Sequence, residues 1–240
     1  MPQTVKGIVL AGGTGSRLFP LTRVTNKHLL PVGRKPMIFH PIEKMTQAGI
    51  ADILVVTGTE HMGAVVGLLG SGKDYGCRFT YKVQDEAGGI AQALGLARNF
   101  VGNDRMCVIL GDNIFEDSIT AAVSAFADGP ADSARLMLKP VEDPQRFGVA
   151  TVEGDSITKI EEKPAQPESN LAVIGVYMYD NSVFDVISTL RPSGRGELEI
   201  SDVNQHYVEQ GRVSYSMLAG WWTDAGTFES LAQANRLVGE

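Results

Sequence analysis

The stretch VLAGGTGSRLFPLT, residues 9–22, places Gly12, Gly13 and Gly15 directly after an apolar run and then adds Arg17. Glycines bring no side chains to a core, but their bare N–H groups can approach an anion closely, with Arg17 supplying charge beside them. A tight strand-to-helix turn is the plainer reading, yet a turn needs one glycine and no arginine. Two other glycine loops fit worse. A dinucleotide fingerprint through Gly13 and Gly15 meets Leu18 at its third glycine, and GGTGSR lacks the lysine and hydroxyl of a P-loop. A second near-match, GLLGSGKD at residues 67–74, ends in an aspartate where the metal-binding hydroxyl belongs and follows a helix-like stretch. It reads as a surface turn.

Three more polar residues stand where chemistry is possible. Lys27 sits in TNKHLLPVGRKPMI, a stretch bordered by proline and glycine and hence a loop; alone, it reads as a solvated cation. Asp112 ends the apolar run VILGDN, and in an open α/β sheet such a carboxyl end opens into the ligand crevice. Taken alone, an aspartate there can equally cap the next helix. Gln84 closes FTYKVQ, and its amide offers one acceptor and two donors, although by itself it is an ordinary polar strand end.

The elements that must position these residues follow from the apolar pattern. KGIVLA, DILVVTG, FTYKVQ and MCVILGD read as strands. They alternate with the helix-like PMIFHPIEKMTQAG, HMGAVVGLL and GGIAQALGLARNF. Such alternation predicts βαβ units and a mostly parallel sheet covered on both faces. After about residue 130, ARLMLKPV, GVATVE, SITKIEE and LAVIGVYMYD lie close together with turns between them, which predicts a more antiparallel region. Helices return at SVFDVISTL, ELEISDVNQHYVEQG and TFESLAQANRLV. No low-complexity linker and no internal repeat interrupt the chain, so one continuous α/β domain over residues 1–240 is expected.

Composition narrows the partners. The chain has 240 residues, 43% hydrophobic and 20% charged, as in a soluble globular protein. A net charge of −7 argues against nucleic acid as a partner. Cys77 and Cys107 lack metal-ligand spacing and read as small hydrophobes. The apolar run near the N-terminus is too short for a signal peptide and no stretch approaches a membrane span, so a cytoplasmic protein is expected.

LAGGTGSRLFPLT followed by NKHLLPVGRKPMI resembles the N-terminal signature of the sugar-1-phosphate nucleotidyltransferases, and within them the branch that moves thymidylyl groups onto glucose 1-phosphate. The likeness runs along almost the whole chain. It implies a Rossmann-like single domain, with a mixed, mostly parallel sheet flanked by helices. Residues 1–130 would then mainly hold the nucleotide, and residues 131–240, with the smaller antiparallel region, mainly the sugar. It further implies that Leu10, Gly12, Gly13, Thr14, Gly15 and Ser16 wrap the nucleotide phosphates while Arg17 and Lys27 stabilise charge at the α-phosphate. VQDEAGGIAQAL is similar to the family's base-reading segment, which assigns Gln84 and Gly89 to the base; many members carry QPxPxG where this chain has QDEAGG.

The same resemblance makes Asp112 and, from GWWTDAG, Asp224 the ligands of a magnesium ion. RFGVA, EEKP and NLAVIGVYMYD look like the sugar pocket. They assign Gly148, Glu162, Lys163 and Val173 to the hexose and its phosphate, with Asn113 and Arg195 beside them. The implied substrates are the small molecules dTTP and glucose 1-phosphate. Transfer of uridylyl or another nucleotide onto a hexose 1-phosphate is the alternative, and a non-catalytic nucleotide-sugar-binding protein the lesser one. The chain corresponds to a short form, ending near Glu240, where longer members continue into a segment that helps build a regulatory site. A homo-oligomer, dimer or tetramer, is the assembly the family suggests.

Overall fold

Each apolar run becomes a strand in the computed structural model, which describes residues 4–239. The first part of the chain forms β1 (Val5–Ala11), the short β2 (Pro31–Val32) and β3 (Lys35–Pro36), and α1 (Phe39–Gln47). It continues through β4 (Asp52–Gly58), α2 (Met62–Leu69), β5 (Arg78–Gln84), α3 (Ile90–Gly95) and α4 (Arg98–Val101). Next come β6 (Arg105–Leu110), β7 (Asn113–Phe115) and α5 (Thr120–Ala127). The second part supplies β8 (Ala134–Pro140), β9 (Gly148–Glu153), β10 (Ser156–Glu162) and β11 (Leu171–Tyr179). It ends with α6 (Val183–Thr189), α7 (Ile200–Glu209), β12 (Val213–Met217), β13 (Trp222–Asp224) and α8 (Phe228–Val238).

β6, β1, β4 and β5 pair in parallel, as the alternation predicts. β11 joins them antiparallel to β6 and also pairs antiparallel with β8 and β9. The main sheet has nine strands, with β10-β9-β11-β6-β1-β4-β5 as its path; β8 pairs with β11, and β12 runs parallel to β8. Both faces are covered, so the central strands are apolar throughout. Ile8 and Leu10 of β1 pack toward α3, α6 and α7, whereas Val9 and Ala11 pack toward α1, α2 and α5. Cys77 and Cys107 are free and buried in that second layer, and burial raises both thiols.

One feature of β11 positions the site. Its residues Leu171–Val173 pair with β9, and Val176–Tyr179 pair with β6 along the same edge. The sheet therefore divides at Ile174 and Gly175, leaving an opening between the carboxyl end of β6 and the start of β9. Ligand sites in open α/β sheets occupy such switch points. A third apolar cluster, including Leu18, Ile114, Ala225 and Ala234, lies beneath the loops around this opening.

Of the segment 67–74, residues 67–69 close α2 and the remainder has the turn character expected of it. Gly70 and Gly72 take positive φ, and a single helical turn, Lys73–Tyr75, leads into β5.

Candidate active site

The glycine loop is fixed at its far end. Leu18 is fully buried, and the Thr22 hydroxyl donates to the Gly15 carbonyl at 2.8 Å, so the loop folds back on itself. Gly12 faces Gln84 from the neighbouring part of the sheet; a Cβ on Gly12 would stand 2.6 Å from Gln84 Oε1. Only a glycine lets the loop and the Gln84 amide lie this close. Gln84 Nε2 donates to Gln92 Oε1 at 2.7 Å and to the Gly89 carbonyl at 3.4 Å.

Lys27 begins a single helical turn, Lys27–Leu29, capped by Asn26, whose Oδ1 accepts the His28 N–H at 2.8 Å. Asn26 Nδ2 donates to the Ala11 carbonyl at the end of β1, tying that turn to the sheet. His28 lies under the junction of β1 and β6, where a Cβ on Gly111 would come within 2.6 Å of its ring. Burial first, and the Lys27 charge next, push His28 down to about 3, so the imidazole is neutral and braces the turn. Lys27 Nζ reaches Asp112 Oδ2 at 2.5 Å, with both side chains mostly buried.

Asp112 leaves β6 beside Asn113, and the Asn113–Asp224 pair joins β7 to β13. The Ala225 N–H donates to the Asp112 carbonyl at 2.8 Å, which locks the two carboxylate-bearing segments together. Arg17 closes over the same point: a Cβ on Gly226 would lie 3.1 Å from Arg17 Nη2 and 3.5 Å from Asp112 Oδ2. Burial would raise the Asp112 carboxyl. The Lys27 charge, with hydrogen bonds from Lys27 and Asn113, outweighs it and holds the group well below the usual carboxylate range. Asp224 goes the other way. Burial first and the Asp112 charge second push it up to about 6, against the pull of Arg146, Arg17 and Lys27. Two facing carboxylates, one of them under-compensated, suit a divalent cation. No group of three or more His, Cys, Asp or Glu ligands converges among the described residues. Two carboxylates would leave the remaining ligand positions of such an ion to other oxygen donors.

The other end of the opening is built by β9, β10, β11 and α7. Glu162 accepts the Ser201 hydroxyl at 2.5 Å and the Arg195 guanidinium at 3.1 Å, and Lys163 Nζ stands 3.3 Å from it. Arg195 also donates to Glu199 at 2.8 and 3.2 Å, so it is held between two acids. Lys163 takes a positive φ of 44°, uncommon for a side-chain-bearing residue, and its N–H donates to the Phe147 carbonyl at 3.0 Å. That turn aims its stem along the opening.

A single cavity of about 390 Å³ gathers Leu10, Gly12, Gly13, Arg17, Lys27, Gln84, Gly89, Asp112, Asn113, Gly148, Glu162, Lys163, Val173, Arg195 and Asp224. An adjoining cavity of about 170 Å³ holds Thr14 and shares Gly13, Lys27 and Gln84 with the first. Gly15 and Ser16 line neither: Gly15, at φ 61°, turns the loop, and Ser16 starts the helical turn that anchors it. Asn113 is largely engaged by the scaffold. Its Oδ1 accepts the Gly175 N–H and Trp222 Nε1, and its Nδ2 donates to Asp112, leaving one amide N–H for a ligand.

Several lining residues escape sequence reasoning. Arg146 reaches Asp224 at 3.5 Å, and Trp222 packs edge-on against Phe147 at 5.2 Å. Ser201, His28, Glu199 and Gly175 also make direct contacts to site residues. The arginine of RFGVA and the tryptophan two residues before Asp224 were visible signals; His28 and Ser201 offered none.

With this geometry in place, comparisons with known proteins agree. A family model described as nucleotidyl transferase matches residues 6–240. A glucose-1-phosphate thymidylyltransferase of Neisseria gonorrhoeae is 46% identical over 237 residues, covering 98% of this chain and 82% of the relative. One from Mycolicibacterium smegmatis is 40% identical, with 98% and 82% covered. Among solved structures, a Bacillus anthracis chain described as a glucose-1-phosphate thymidylyltransferase, in complex with sucrose, superposes with a TM-score of 0.94. It is 58% identical, with 98% of this chain and 95% of that chain covered. A UDP-glucose pyrophosphorylase bound to UDP-glucose gives a TM-score of 0.87 at 25% identity, with 97% of each chain covered.

Proposed function

The chain belongs to the nucleotidyl transferase family, and from that premise we propose that it transfers a thymidylyl group from dTTP to glucose 1-phosphate, releasing pyrophosphate. The observation that supports this reading is that Gly12, Gly13, Arg17, Lys27, Gln84, Asp112, Glu162, Lys163 and Asp224 line one cavity. Gln84 lies beside the glycine loop and pairs with the pyrimidine edge through its amide. The loop amides and Arg17 hold the triphosphate, and Lys27 meets the α-phosphate. Glu162 accepts from hexose hydroxyls, and Lys163 holds the sugar phosphate facing the nucleotide.

A phosphate oxygen of the sugar phosphate attacks the α-phosphorus in line. The new P–O bond forms as the bond to the β-phosphate oxygen breaks, and pyrophosphate carries away that electron pair. No protein nucleophile is needed, because such transfers depend on positioning and charge stabilisation. Arg17 and Lys27 lie where charge grows on the α-phosphate and the departing oxygen, inside a largely enclosed site. Asp112 and Asp224 would hold magnesium, which offsets phosphate charge and polarises the α-phosphorus when bound.

The test is pyrophosphate release measured across dTTP, UTP and the purine nucleotides, each with glucose, galactose, mannose and N-acetylglucosamine 1-phosphates. The highest kcat/KM is expected for dTTP with glucose 1-phosphate; no release with any pair overturns the reading. The likeness to a UDP-glucose pyrophosphorylase favours uridylyl transfer as the second reading. Thymine and uracil differ by one methyl group, a discrimination worth about 1–3 kcal/mol, so UTP is expected to be used at about one-tenth efficiency or less.

Lys163 gives a sharper check on the sugar end. Lys163→Ala removes the phosphate-facing ammonium and is expected to raise KM for glucose 1-phosphate by about tenfold or more, with KM for dTTP changed less than twofold. Equal rises in both constants would place Lys163 elsewhere in the reaction.

A further inference from the structure

Gln84, which the proposed reaction turns toward the base, is itself held by a second glutamine. Gln92, on the first turn of α3, lines neither cavity, yet its Oε1 accepts Gln84 Nε2 at 2.7 Å. The same oxygen accepts the Gly88 N–H at 3.2 Å, shared with the Glu86 carbonyl at 2.9 Å. The loop closes tightly on this side chain: a Cβ on Gly88 would stand 2.4 Å from the Gln92 amide. On its other side, the Gly88 carbonyl accepts the Leu198 N–H at 2.8 Å.

This network fixes which end of each amide faces which way. A backbone N–H can only donate, so the oxygen of Gln92, and not its nitrogen, faces Gly88. Gln84 meets that same oxygen and, at 3.4 Å, the Gly89 carbonyl; both are acceptors, so its NH2 end points inward. Turning the amide over would set Gln84 Oε1 against two oxygens. Gln84 Oε1 is therefore the end left outward. It receives no hydrogen bond among the described residues, it is not sealed, and Gln84 lines both adjoining cavities. With its N–H groups spent inside the protein, Gln84 offers a ligand an acceptor alone.

An acceptor fixed in this way requires a donor from its ligand. The ring nitrogen N3 of thymine and uracil carries a hydrogen, whereas N3 of cytosine carries a lone pair. Resting on the nucleotidyl-transfer reading of this site, we propose that Gln92 is a positioning residue that locks the Gln84 carboxamide with its oxygen outward. The site then accepts the N3–H of an imide base and rejects cytosine, whose lone pair would oppose the Gln84 oxygen and leave both unpaired. Gln92 does not touch the nucleotide; it acts through the orientation of one amide.

The test separates orientation from packing. KM and kcat are measured with dTTP, UTP and dCTP at saturating glucose 1-phosphate. The enzymes are the wild type, Gln92→Glu, which keeps the accepting oxygen, and Gln92→Met, which keeps the bulk and removes that oxygen. The wild type is expected to favour dTTP over dCTP by about 100-fold or more in kcat/KM. In Gln92→Met the ratio is expected to fall by about tenfold or more, because Gln84 can turn and donate to N3 of cytosine. The loss on dTTP is expected to fall mainly on its KM. Gln92→Glu is expected to keep the wild-type ratio within about threefold. An unchanged ratio in Gln92→Met, an equal loss in both variants, or a wild type that accepts dCTP as readily as dTTP overturns the inference. Gln92→Ala, measured in the same way, replaces the methionine variant if circular dichroism shows that it does not fold. If the wild type releases no pyrophosphate with any substrate pair, the nucleotidyl-transfer reading fails instead. Equilibrium binding of dTTP and dCTP then decides Gln92: a preference for dTTP that collapses in Gln92→Met sustains the inference, and an unchanged or absent preference overturns it.

Discussion

Lys27→Ala is expected to lower kcat by about 100-fold or more in a protein that keeps its fold, read as pyrophosphate release with dTTP and glucose 1-phosphate. The residue has two roles that separate cleanly. Toward substrate, in the proposed reaction, its ammonium meets the transferred phosphate from a turn fixed by Asn26 and the buried His28. Toward the protein, it compensates the buried Asp112 carboxylate at 2.5 Å. Alanine therefore also leaves Asp112 unpaired, and the metal-free variant is expected to melt several degrees lower. The double variant Lys27→Ala, Asp112→Asn removes the stranded charge. It is expected to recover the melting temperature and none of the turnover. Near wild-type turnover in the single variant would remove Lys27 from the mechanism.

Arg17 was legible as a cation beside a glycine loop at the end of β1, whereas Lys27, alone an ordinary loop cation, was singled out only by resemblance. Asp112 was legible as a polar residue ending an apolar strand, although a helix cap would look the same. Asp224 was legible only by resemblance. It meets Asp112 through β7 and β13, three residues each, too short to leave a periodic pattern. The split in the sheet was invisible for a related reason. β11 reads as one uninterrupted apolar run, and nothing in that run says that its two ends pair with different strands along one edge.

Helix boundaries failed where composition was ambiguous. GGIAQALGLARNF, read as one helix, forms α3 and α4, and the first ends at Gly95, a poor helix former. TAAVSAFA, not read as a helix, forms α5; its small residues give it little amphipathic contrast, and Ala122, Val123 and Phe126 are what it buries. Ser201 lies on a helix whose existence was read correctly, but its contact with Glu162 depends on a distant strand.

Asp224→Asn is expected to abolish most turnover, by about 100-fold or more, and at the same time to make the metal-free protein more stable. The sign follows from the direction of the shift. Burial and the neighbouring Asp112 charge push Asp224 up to about 6 from the ordinary 3.8, so the folded protein holds that proton more tightly than the unfolded chain. The stability this contributes is fully present below about pH 3.8 and is lost as pH rises through about 6. At pH 7.5 the ionised carboxylate is thus a liability that an amide of the same shape lacks. The shift of about two units sets an upper limit near 3 kcal/mol; with partial exposure and the Arg146 contact, about 1–2 kcal/mol is expected, or a melting temperature higher by about 2–6 °C. Magnesium should reverse the ranking, because the wild type gains by binding the ion through both carboxylates and the variant gains far less. Melting curves at pH 7.5 and pH 5, with and without magnesium, measure all of this. The variant's advantage should shrink at pH 5, where Asp224 of the wild type is already largely protonated. A variant less stable than the wild type at pH 7.5 without metal would mean that Asp224 is already neutralised by its arginine and lysine neighbours. The paired carboxylates would then carry no electrostatic vacancy for a divalent ion to fill.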